Sequence, residues 1–122
     1  MKLIDELNAE EGSFLLELRT ELNWNHNAFL NLLIKLSEEC KKITKKSKLN
    51  RNIAEGVWYI SYFIQDWSSH TNFPKKFPKE YYIKAYELIH DLASYYFSGH
   101  SPYTSVNQFE TLFDELTANT KH

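Results

Sequence analysis

The stretch "NIAEGVWYISYFIQDW", residues 52–67, decides the fold. Its aliphatic residues Ile53, Val57, Ile60 and Ile64 step by four and three, and Trp67 continues the step. At about 100° per residue they share one helical face. Asn52 with Glu55 three residues on reads as an Asn form of the capping box that starts the helix. On the side opposite the aliphatic stripe, Glu55, Tyr59, Tyr62 and Asp66 fall within about 60° of one another, with Trp58 and Trp67 on the flanks. Tyrosine offers a large contact area with few torsions to freeze, and the two carboxylates favour a basic partner. These four residues are the candidate partner-binding site. The alternative is that a further helix covers them and makes them core.

The neighbouring segments repeat the helical period. In "NHNAFLNLLIKLSEECKKITKK", residues 25–46, Phe29, Leu33, Leu36, Cys40 and Ile43 share a face. Asn25 is the expected cap, and Trp24 and Phe29 have the spacing of a hydrophobic staple. In "KEYYIKAYELIHDLASYYFSG", residues 79–99, the inward set is Tyr82, Ala85, Ile89, Leu92 and Tyr96, and Gly99 takes the left-handed position after the helix. In "SVNQFETLFDEL", residues 105–116, Ser105 and Gln108 form a capping box before Val106, Phe109, Phe113 and Leu116. Residues 4–22 read as one or two helices with Ile4, Leu7, Phe14, Leu15, Leu18 and Leu22 inward. The expected fold is all-α, one domain over residues 1–122, an antiparallel bundle of four to five helices.

Between two of these helices lies "HTNFPKKFPKEYY", residues 70–82, with Phe-Pro-Lys written twice. Pro78 suits a first helical turn, Glu80 suits the positive helix end, and the residue before each proline is biased to extended backbone. The stretch is expected to be a stiff crossover, its phenylalanines tucked onto the bundle and its lysines in water. The alternative is a partner-binding loop.

Composition narrows the function classes. The chain has 122 residues, 43% hydrophobic and 16% aromatic, with three glycines and one cysteine. That is too apolar for a disordered chain and gives no internal disulfide. No run approaches the roughly 20 apolar residues of a membrane span, and no secretory signal is visible, so a cytoplasmic location without membrane attachment is expected. The net charge of −2 hides a pattern. Residues 1–40 carry eight acids and three bases, residues 41–84 ten bases and three acids, and residues 85–122 five acids and one base.

No catalytic, metal or cofactor set is expected. Glu87 and His90 form a Glu-x-x-His pair without a second copy, and they lie off the apolar stripe. Cys40 sits on the apolar stripe, where cysteine behaves as a small hydrophobe. The basic run "KKITKKSKLNR", residues 41–51, lacks interleaved aromatics, so nucleic acid is not the expected partner. There is no glycine-rich phosphate loop, and no small-molecule substrate is expected.

Two resemblances bear on function. Arg19 and His26, with six residues between them, resemble the Arg-x4–6-His spacing of the HEPN ribonucleases, small all-helical proteins that use the pair on RNA. In this chain a helix boundary is expected at residues 23–25, between the two. In size, helical make-up and lack of active-site chemistry, the whole chain resembles the all-helical immunity proteins of bacterial toxin systems. That resemblance implies a cytosolic protein that binds a toxin domain and neutralises it. The Lys-, Asn-, Tyr- and Ile-rich composition suits an AT-rich bacterial genome. A structural adaptor subunit is the remaining expectation.

Overall fold

The computed structural model describes residues 1–44, 46–103 and 108–121. Among them are six helices: α1 (Leu3–Leu7), α2 (Phe14–Glu21), α3 (His26–Lys41), α4 (Arg51–Ser68), α5 (Lys79–Ser98) and α6 (Gln108–Ala118). The all-α bundle expected from the periodicity is present, with more helices than the four to five anticipated. The extra one arises because residues 4–22 divide. Ala9 and Gly12 both take positive φ, 55° and 88°, which no helix can carry through. Ser13 then restarts the chain by accepting a hydrogen bond from the Leu16 N–H at 3.2 Å.

α5 packs against α3, α4 and α6, while α1 lies across α3 and α4. Gly56 allows the α1–α4 crossing. A Cβ there would stand 2.8 Å from the Leu7 Cβ, so any side chain would force the helices apart. The expected inward residues Phe29, Leu33, Leu36, Cys40, Val57, Ile60, Ile64, Ala85, Ile89, Leu92 and Tyr96 are all buried.

One end of the core is aromatic. Trp24 meets Phe14 and Phe29 at 4.9 Å and Tyr82 at 5.3 Å, ring centre to ring centre. The staple between Trp24 and Phe29 is therefore formed, and Asn25 caps α3 by accepting from the Ala28 N–H. A buried polar chain ties this end together. The Trp24 indole can only donate, so Tyr81 Oη accepts it at 2.7 Å, and the same hydroxyl is hydrogen-bonded to His26 Nδ1 at 2.7 Å. His26 Nε2 is hydrogen-bonded to Thr117 Oγ1 of α6 at 3.0 Å.

Three local expectations need correction. The cap of α4 is Asn50, whose Oδ1 accepts from the N–H groups of Asn52 and Ile53, so Asn52 and Glu55 form no capping box. Leu22 is not inward. It caps α2 in the left-handed conformation, φ 51°, and is 39% exposed. Trp67 is 38% exposed rather than core. Its indole N–H donates to the Leu18 carbonyl on α2 at 2.9 Å, and that bond holds the ring at the surface. The Ser105 capping box and Val106 lie outside the described residues.

Candidate functional site

The buried side of α4 is the stripe Val57, Ile60, Ile64 and Ser68. The opposite side carries the four residues expected to meet a partner. Glu55, Tyr62 and Asp66 are exposed, and Tyr59 is half-buried. α1 borders Glu55 and Tyr59, and Tyr59 is packed partly against the core, whereas among the described residues neither Glu55 nor Asp66 enters an ion pair.

The rings form a continuous strip along the helix. Trp58, itself 58% exposed, lies 5.0 Å from Tyr62, and Tyr62 lies 5.6 Å from Tyr59. Tyr59 stacks on Phe63 at 4.8 Å and 14°, and Phe63 stacks on Trp67 at 5.6 Å and 22°. Phe63 had no expected role. Its signal was legible, because 59, 63 and 67 are spaced by four, which places one ring above the next on a helix. Stacking of Tyr59, Phe63 and Trp67 restricts those rings, so less side-chain entropy remains to be lost on contact.

A cleft opens at each end of the strip. Between α1 and α4, Ile4, Leu7, Asn52, Glu55, Trp58 and Tyr59 border about 500 Å³. At the other end, Leu22, Phe63, Trp67 and Phe73 wall about 420 Å³, with Asp66, His70 and Asn72 on the rim. The strip thus runs between a mixed cleft beside Glu55 and a mainly apolar one beside Asp66.

The other candidates are placed differently. Arg19 is exposed in the last turn of α2, whereas His26 opens α3 and turns its ring nitrogens to Tyr81 and Thr117. Burial lowers the His26 pKa below its ordinary value and so favours the neutral ring. Glu87 and His90 both face outward. Among the described residues no group of three His, Cys, Asp or Glu is arranged to hold a metal ion. The Cys40 thiol donates to the Leu92 carbonyl at 3.5 Å, and burial, aided by Glu39, pushes its pKa up to about 12. A thiol held protonated in this way is a poor nucleophile. The basic run leaves α3 at Lys41 and continues exposed through Arg51, with Lys45 outside the described residues.

The Phe-Pro-Lys crossover is built as structure. Phe73 is buried, and Phe77 packs on Tyr81 at 4.4 Å. The lysines are exposed but two are tied down. Lys75 donates to the carbonyls of His70 and Phe73, and Lys76 to Asn23 Oδ1 at 2.9 Å. Among the described residues no helix is long and apolar enough to cross a membrane. No family model matches the chain, and neither a curated protein nor a solved structure does.

Proposed function

We propose that the chain is a protein-binding module and that its contact face is the aromatic strip of α4 framed by Glu55 and Asp66. The observation that carries this reading is the strip itself. Five aromatic rings touch in sequence along one helix face, two of the contacts stacked and two edge-on or tilted, and three of the rings belong to exposed residues. Folding alone gives no reason to gather exposed aromatics there, whereas interfaces are enriched in rigid tyrosine and tryptophan. The unpaired carboxylates at either end favour a partner with basic groups, and their attraction acts mainly on association rate and selectivity.

Within that class, neutralisation of a toxin domain as an immunity protein in the cytoplasm is the specific role we favour, on the whole-chain resemblance. An adaptor subunit would use the same face. The HEPN-like alternative draws less support, because His26 spends its ring nitrogens on Tyr81 and Thr117. The test is co-expression with the product of any toxin-like gene beside its own. Growth should be restored by the chain and lost again with Tyr59→Ala plus Tyr62→Ala. Restoration that survives the double variant would remove the strip from the reading. A genomic neighbourhood with no such gene would remove the toxin role and leave the adaptor.

A further inference from the structure

Two residues expected in the core, Leu22 and Trp67, stand at the surface instead, and they wall the same cleft. Leu22 is the more informative. It ends α2 at φ 51°, a conformation that costs an ordinary side chain about 1–2 kcal/mol and that glycine or asparagine takes more cheaply. A leucine held there and 39% exposed does little for the fold. Local strain retained without a folding gain points to use of the side chain elsewhere. The remaining walls are fixed in advance. Trp67 is pinned by its bond to the Leu18 carbonyl and stacked on Phe63, and Phe73 is held by its own N–H to the His70 carbonyl at 3.0 Å.

The rim is asymmetric in charge. Asp66 presents a carboxylate that has no ion-pair partner among the described residues. His70 accepts the Asn72 N–H through Nδ1. Lys75, the nearby cation, is spent on the His70 and Phe73 carbonyls at 3.1 and 3.4 Å and lines a different cleft with Phe77 and Tyr82. The volume of about 420 Å³ lies within the range of small-ligand clefts, roughly 300–1,000 Å³.

Resting on the binding role proposed for the α4 strip, we infer that this cleft is the anchoring socket. It receives one apolar side chain of the partner, and the residue next to that anchor is a lysine or arginine that pairs with Asp66. The partner is thereby specified as a protein whose contacting segment carries an apolar–basic pair. The apolar walls exclude water from the anchor, and the carboxylate at the edge rejects an anchor followed by an acid.

The probe is the capped dipeptide acetyl-Phe-Lys-amide, titrated into the isotopically labelled chain and followed by NMR. So small a ligand should bind with a Kd on the order of 1 mM. The shifts should be confined to Leu22, Phe73 and the Trp67 indole N–H. Asp66→Asn, or replacement of the probe by acetyl-Phe-Glu-amide, should weaken binding about fivefold or more, and added salt should mimic that loss. Leu22→Asn should weaken binding comparably while leaving the melting temperature unchanged or raised. No saturable shift at about ten times the expected Kd, or equal affinity for the two dipeptides, overturns the socket. If the free chain dimerises and Leu22→Asn dissociates it, the occupant is a second copy and the proposal fails. Socket and strip can fail separately. A dipeptide that binds while Tyr59→Ala plus Tyr62→Ala leaves partner binding intact removes the strip alone. Loss of partner binding in that variant without dipeptide binding removes only the socket.

Discussion

Two aromatic groups of this chain use the same residue types in opposite ways. Around Trp24, rings from α2, α3 and α5 close on one another in edge-to-face contacts, and the indole and phenol spend their polar atoms on each other. Along α4, rings from a single helix follow one another in a line, Tyr59, Phe63 and Trp67 stacked and Tyr62 edge-on, and the hydroxyls of Tyr59 and Tyr62 have no hydrogen bond among the described residues. The first group joins elements distant in sequence and belongs to folding. The second runs along one helix and reaches another element by a hydrogen bond only through the Trp67 indole on Leu18, so it ties the bundle together less and leaves the exposed rings of Trp58 and Tyr62 for another molecule.

The largest effect that could break this contrast is on stability. Trp24→Ala should cost about 3–5 kcal/mol and lower the melting temperature by roughly 10–20 °C. A loss under about 1 kcal/mol in circular-dichroism melts would mean that the Trp24 cluster is not the keystone of the fold. Next comes the strip. Tyr62→Ala should shift stability by no more than about 0.5 kcal/mol yet weaken partner binding by about 2 kcal/mol in calorimetry. The reverse pattern would make the strip a second piece of core.

Smaller effects sharpen the contrast from the polar side. Tyr81→Phe keeps the ring but strands the Trp24 N–H and removes the hydrogen-bond partner of His26 Nδ1. It should cost about 1–3 kcal/mol in denaturant titration, whereas Tyr62→Phe should be nearly neutral for folding. The smallest effect concerns pH. Burial lowers the His26 pKa from its ordinary 6.5, so the unfolded chain binds the proton first as pH falls. Stability is full above about pH 6.5 and declines below it until folded His26 is itself protonated. His26→Gln should flatten that decline relative to the parent chain in melts between pH 7 and pH 5, which span the ordinary value. An unchanged slope would mean that His26 does not couple folding to protonation.

Much of this was legible in the residues, and what was not has physical causes. Helical period picked out the buried stripes of α3, α4 and α5 because those faces were apolar along their whole length. The four-residue face of α4 followed from the same geometry. Caps were less secure. Asn50 and Asn52 are equally good capping residues, and only the backbone decides between them. Trp67 and Leu22 were misplaced because hydrophobicity alone cannot tell a core side chain from one held at the surface by a hydrogen bond or a left-handed turn. The break at Ala9 and Gly12 and the close approach at Gly56 depend on contacts between helices, which no periodicity contains.

The most direct measurement places a photo-crosslinking phenylalanine at position 62 of α4 or at the equally exposed position 83 of α5, in cells of the source organism. The strip reading predicts one discrete protein adduct from position 62 and none from position 83. That adduct should vanish when Tyr59→Ala is added, and the purified partner should bind the parent chain about thirtyfold more tightly than Tyr62→Ala, matching about 2 kcal/mol. No adduct from position 62, or the same adducts from both positions, would contradict it.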